Sequence, residues 1–438
     1  MSVAILGAGI SGLTAARRLR ERGVEVEVLE ADARAGGLCQ SDVVDGYVMD
    51  RSGGHIVFSK SEKAMQYYRD LFRDEPLVQS ERKTRILLRG RYVPYPFENG
   101  LGELAAEDRA ACVGGAVEAQ FARSEGAAKP ANFRDWIRWR VGTGIGRLFM
   151  EPYNQKIWKL DDLRGMGIDW VDGRVPEAPL SDVVQAALGK ATVGYAHQAV
   201  FWYPRTGGFQ AITDRIARSV ADRVRLNVRV TDVARSGGRL HVNGRAYDAV
   251  VSTIPLPILA PMVDGLDATT RAAAEGLGFI SLACFLFGIA GADAQPWSWL
   301  YLPEAEQGPA NHVTYLSNYS PCNAPSGRAS LLAEVTYRGK LDVTREFVAD
   351  LRARLAAQGL FKSENVSVVE WRDNRFAYIH FGPDFVARRA QAIAGLEAYG
   401  IVPLGRFGRY NYYNTDLCIL EALESADRLA DRLTGTRA

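Results

Sequence analysis

The chain opens with three short patterns of different period. VAILG is an unbroken apolar run, ISGLTAARRLRER spaces its apolar residues three and four apart, and VEVEVLE alternates strictly. These predict in turn a covered strand, an amphipathic helix that stops at Gly23, and a strand that ends at Glu30. Together they form a βαβ unit, the start of an α/β domain. Farther on, residues from about 91 to 204 read mainly helical around NFRDWIRWRVGTGIGRLFMEPYNQKIWKL, while 271 to 394 alternates as antiparallel strands do. The longest apolar run, GFISLACFLFGIAG (278 to 291), is too short for a membrane helix, which needs about 18 residues, and reads as buried strand. The last apolar periodicity, LCILEALESADRLADRL, predicts a closing amphipathic helix.

Composition narrows this picture. A chain of 438 residues with 47% hydrophobic side chains is too long for one simple core and implies more than one domain. The 53 Lys and Arg against 51 Asp and Glu leave a formal charge of +2, which excludes a whole-molecule field for nucleic acid or an anionic membrane. Any anion has to be held locally. Cys39, Cys112, Cys284, Cys322 and Cys418 are odd in number, scattered and without a C-x-x-C pair, which argues against a disulfide framework or a zinc site. His197, His241, His312 and His380 show no metal spacing, so no metal is expected. With neither a charged leader nor a membrane span in view, the expectation is a cytoplasmic protein.

The first turn carries candidate chemistry. Gly7, Gly9 and Gly12 follow a strand and open a helix, with Glu30 at the end of the next strand. Gly7 permits the tight turn and Gly9 the close approach of a pyrophosphate. Gly12 permits helix-on-strand packing, while N–H groups from Ser11 onward face the ligand. Glu30 suits the ribose hydroxyls and disfavours a 2′-phosphate. FAD and NAD both satisfy this fingerprint.

The following segment, EADARAGGLCQS, adds Arg34 and the pair Gly36–Gly37 and resembles the flavoproteins of the amine oxidase, protoporphyrinogen oxidase and UDP-galactopyranose mutase group. The resemblance implies FAD as cofactor, with Arg34, Gly36 and Gly37 along its diphosphate and ribityl chain. VRLNVRVTDV (224 to 233) then resembles the strand pair that presents Val230 to the adenine, and YDAVVSTIPL resembles the strand that re-enters the domain. SGGHIVFSK, YVPYPFENGL, EPYNQKIWKL, FWYPRTGGFQAI and GRFGRYNYYNTD extend the similarity to the mutase branch over most of the chain.

The fold so implied is a discontinuous Rossmann-type FAD-binding domain (1–90, 205–270 and 395–438). It carries a helical insert (91–204) and an antiparallel-sheet substrate domain (271–394). Carried over residue by residue, Arg406 lies near the flavin and Tyr412 on a nucleotide diphosphate. Trp158 borders a sugar pocket, Arg174 holds the diphosphate, and Tyr378 is a further phenol for phosphate. His55 passes the flavin, and helix-end N–H groups around Asp416 and Leu417 face its pyrimidine end. The activity implied is a mutase reaction, in which reduced FAD attacks the anomeric carbon of a nucleoside-diphosphate sugar through N5 and the ring opens and recloses. An external flavin reductant has a place in such a scheme. The alternative is a net redox enzyme of oxidase or desaturase type. The sequence departs from the mutase pattern at Phe58, Asn414, Thr415 and Ile379, where histidine, aspartate, methionine and proline are usual.

Overall fold

A computed structural model describes residues 1–435 except 173, 176, 177, 191–198 and 292–294. The first sheet has five strands, all paired in parallel: Ile401–Pro403, Ala249–Ser252, Ser2–Leu6, Glu25–Leu29 and Val224–Arg225 in spatial order. Val3 to Leu6 are fully buried because helices cover both faces of a parallel sheet, which is why VAILG carries no polar alternation. The helix Ile10–Glu21 packs on the closing helix Thr415–Thr434 through Leu13, Ala16 and Leu19 against Ile419, Ala422 and Ala426. The first and last helices of the chain are therefore neighbours, and the domain is closed by its own C-terminal segment.

The second sheet has seven strands, in the order Val366–Ile379, Phe279–Ala290, Arg328–Tyr337, His312–Thr314, Trp299–Tyr301, Thr84–Leu88, Arg91–Pro94. The run GFISLACFLFGIAG is its long second strand, with Ile280 to Phe287 buried on both faces. The five strands drawn from 271–394 pair antiparallel throughout, as expected, and two strands from earlier in the chain extend them. Trp299–Tyr301 pairs in parallel with Thr84–Leu88. The hairpin Thr84–Leu88/Arg91–Pro94 joins this sheet from outside that range, so a boundary between residues 90 and 91 passes through its turn. Strand partners distant in sequence are chosen by the tertiary fold, and alternation alone does not reveal them.

The stretch 91–204 contains the helices Ala106–Ser124, Phe133–Ile145, Glu151–Trp158 and Leu180–Ala187. The first two touch closely at Gly142, which has φ +81°; a Cβ there would lie 2.2 Å from the backbone of Gly115. In VRLNVRVTDV only Val224–Arg225 joins the first sheet, and the chain next returns to strand at Val233–Ser236. Val228 N–H donates to the Glu30 carbonyl, which brings Val230 beside the first glycine turn.

Candidate functional site

Between the two sheets lies a cavity of about 920 Å³, walled by the first glycine turn, the Gly36–Gly37 turn, residues 54–58, 229–230, 253–255, 373–376 and the approach to the closing helix. Its floor is built by glycine. Gly7 has φ +100°, and a Cβ there would stand 2.3 Å from Thr253 Oγ1; a Cβ on Gly12 would meet the Gly7 carbonyl at 2.1 Å. Gly36 N–H donates to the Ala8 carbonyl at 2.8 Å, and Gly9 and Gly36 form a parallel bridge, so the two turns lie side by side as one cradle. The helix that starts after Gly9 has no side-chain cap, which leaves its first N–H groups to a ligand. Glu30 lines the cavity, accepting the N–H of Ala8 (2.7 Å) and of Asp32 (2.9 Å), and burial raises its pKa. Its remaining lone pairs are available to hydroxyl donors. This glycine cradle and acidic strand end fit a dinucleotide.

Gly7, Gly9, Ser11, Glu30, Gly36, Gly37, Val230, His55 and Arg406 all line the cavity. Arg34 stands apart from it. Its guanidinium pairs with Asp42 at 2.7 Å and reaches the Ser41 carbonyl, drawn away by a carboxylate that Arg51 and Arg372 also engage. At the closing helix, Asn414, Thr415 and Cys418 line the wall, while the Leu417 side chain is 42% exposed. Asp416 turns to Ser59, whose hydroxyl it accepts at 2.6 Å. Without a side-chain cap, the N–H groups of Thr415 to Leu417 are what the helix end offers.

Beyond this wall is a second cluster. The Tyr412 ring has the Arg174 guanidinium carbon 3.9 Å and that of Arg406 4.5 Å from its centroid. Trp158, Trp170, Phe381 and Tyr378 surround it at centroid distances of 6.3, 6.2, 6.0 and 6.4 Å. Arg406 belongs to both places: it lines the cavity, donates to the carbonyls of Tyr413 and Ala377, and leaves its buried Nε without a partner among the described residues. Burial lowers the Arg174 pKa, with the positive charge of Arg406 acting in the same direction. Trp158 is 2% exposed and donates to Asn154 Oδ1, so it is core and aromatic wall at once. Burial and the charge of Glu334 push the Tyr378 phenol well above its ordinary value, which keeps it a donor.

His55 stacks on Phe209 with centroids 5.1 Å apart, and its Nδ1 lies 3.1 Å from the Gly53 carbonyl. A carbonyl only accepts, so Nδ1 carries the proton and Nε2 is left as acceptor. Burial lowers its pKa to about 4, and the imidazole is neutral.

Two buried carboxylates stood outside the sequence reading. Asp50, 1% exposed, accepts Ser41 Oγ, Tyr203 OH and Phe209 N–H, and burial raises its pKa to about 6. Glu334 accepts Gly54 N–H and pairs with His312. Neither has a spacing signal, because their partners lie in other segments. His312, set aside for lack of metal spacing, turns out to be a carboxylate's partner; His197 lies outside the described residues. Among the described residues no cluster could hold a metal, and no helix is long and apolar enough to cross a membrane.

Comparison with known proteins adds the family. The model of flavin containing amine oxidoreductases matches residues 10–407. The crystal structure of reduced UDP-galactopyranose mutase superposes with a TM-score of 0.89 at 27% identity, covering 100% of this chain and 96% of that one. In sequence, coproporphyrinogen III oxidase of Mycobacterium tuberculosis is 25% identical over 344 residues, 72% of this chain and 73% of the relative. Hydroxysqualene dehydroxylase of Rhodopseudomonas palustris is 43% identical over 83 residues, 18% and 20% of the two chains.

Proposed function

The chain belongs to the family of flavin-containing amine oxidoreductases, and from that premise we propose that it is an FAD-dependent enzyme of mutase type, interconverting pyranose and furanose forms of a nucleoside-diphosphate sugar. The observation that carries this reading is the pair of guanidiniums over the Tyr412 ring, with no carboxylate partner for Arg174 or Arg406 among the described residues. Arg174 is desolvated and feels the positive charge of Arg406, a cost that a bound diphosphate relieves. The likeness to a reduced mutase along the whole chain supports the same reading.

In this assignment Gly7, Gly9, Ser11, Gly12, Glu30, Gly36, Gly37 and Val230 hold FAD, with the N–H groups at Asp416 and Leu417 toward its ring. The bound flavin supplies either an electron-rich ring nitrogen or a hydride acceptor, according to its oxidation state. Arg174, Arg406 and Tyr412 grip the diphosphate and fix the sugar's orientation. Trp158, Trp170 and Phe381 exclude water, the Tyr378 oxygen faces the same cluster, and His55 accepts at Nε2. An external reductant would supply the flavin's electrons, and the setting is cytoplasmic.

A second reading, net oxidation of a small molecule, is favoured by the oxidase relative that matches 344 residues. Titrating UDP into the purified flavoprotein separates them. The mutase reading expects a saturable change in the flavin spectrum, weakened about 10- to 100-fold by Arg174→Ala, the usual worth of a charge-assisted contact. A spectrum indifferent to every nucleoside diphosphate, with oxygen consumed in turnover, would replace it by the oxidase reading.

A further inference from the structure

The double glycine before His55 has a cause on the far side of the wall it helps to form. A Cβ on Gly53 would stand 2.7 Å from Glu334 Oε1, and one on Gly54 would stand 2.6 Å from the Thr314 side chain. Gly54 N–H donates to Glu334 Oε1 at 3.2 Å, and Gly54 and His55 line the cavity. Glu334 is therefore a carboxylate one peptide behind the cavity wall, 4% exposed. His312 Nδ1 lies 2.9 Å from the same oxygen, and Tyr378 OH is 3.5 Å from Oε2, on the side of the Tyr412 cluster. Burial alone would raise the carboxyl's pKa, but His312 and the Gly54 N–H hold it below the usual value, so the group is ionised. The other titratable groups that feel this charge are His55, Tyr153, Tyr319 and Cys284.

We infer that the Glu334–His312 pair is a positioning and tuning device. It pins the Gly53–His55 segment and the Tyr378 hydroxyl, and it keeps a fixed negative charge behind the cofactor wall that opposes electron uptake by the ring. The inference rests on the reading that a flavin fills the cavity, and it is indifferent to whether the reaction is a mutase or an oxidase one. The charge works against the helix end at Thr415 and against Arg406, both of which favour a reduced, anionic ring. Opposed fields of this kind set a potential between the two extremes.

The test is the equilibrium of the flavin-loaded protein with a reference redox dye at pH 8, with flavin content and far-ultraviolet circular dichroism read in parallel. Glu334→Gln keeps the shape and an acceptor for Gly54 but removes the charge, and it is expected to shift the equilibrium about tenfold toward reduced flavin. Glu334→Asp keeps the charge and is expected to stay within about threefold of wild type. A Gln variant within about twofold of wild type overturns the inference, as does an Asp variant that shifts as far as Gln.

If Glu334→Gln does not accumulate folded, His312→Lys carries the test, since a lasting positive charge beside Glu334 offsets the carboxylate. At pH 8 its redox equilibrium should shift toward reduced flavin in the same sense as expected for Glu334→Gln. A His312→Lys equilibrium within about twofold of wild type overturns the inference. A wild-type protein that binds no flavin would instead remove the reading beneath it.

Discussion

Asp50 and His55 are chain neighbours held by one another's surroundings, and their protonation pulls in opposite directions. Burial raises Asp50 to about 6. The folded state then binds more protons than the unfolded one between that value and the ordinary 3.8, and stability contributed by Asp50 falls as pH rises through this window. Burial lowers His55 to about 4, so the unfolded state binds more protons between 6.5 and 4, and stability falls as pH drops. Each effect is about 3 kcal/mol, and in the wild type they largely offset one another. Single variants should uncouple them. Asp50→Asn should lose stability more steeply than wild type from pH 7 to pH 4.5, and His55→Gln should gain over the same range. Urea unfolding at the two pH values reads both; parallel shifts in all three proteins would contradict these pKa displacements. The Asp50 network was hidden in the sequence because its donors come from residues 41, 203 and 209, which only folding brings together.

Among the elements, the closing helix has two duties at opposite ends. Its N-terminus finishes the cavity, fastened by Thr415 to Tyr68 and by Asp416 to Ser59. Its C-terminal half lies along the first helix, where Asp427 pairs with Arg18 and Arg22, and Asp431 with Arg22. These ions are about one-third exposed, so solvent and salt screen them. Asp427→Ala should cost about 1 kcal/mol or less at low salt, and less still at high salt, with flavin content unchanged. Denaturant midpoints at two ionic strengths check it. The helix itself was legible from the spacing of Ile419, Ala422, Ala426 and Leu429, all buried. Where its first side chains turn was not, because Asp416 bonds to Ser59, far off in the chain, and Leu417 faces outward.

At the scale of the molecule, the cavity draws on residues from Gly7 to Cys418, so it is complete only when both chain ends are in place. A chain ending at residue 400 lacks the strand Ile401–Pro403 and the closing helix, and with them Leu404 to Phe407 and Tyr413 to Thr415 of the lining. It should retain no flavin after desalting, as read from visible absorbance. Stoichiometric flavin in that truncated chain would mean that the cofactor lies elsewhere.

What the sequence determined by itself is local in origin. The glycine turn, the helix after it and the acidic strand end follow from steric freedom and periodicity within some thirty residues, a span in which neighbours in sequence are neighbours in space. Tertiary structure alone decided that Thr84–Leu88 and Arg91–Pro94 extend the second sheet. It likewise turned Arg34 toward Asp42, and set Glu334 against Gly53 and Gly54. In each case the choice is an electrostatic or hydrogen-bonding competition among groups far apart in the chain. Periodicity holds no record of which distant group wins.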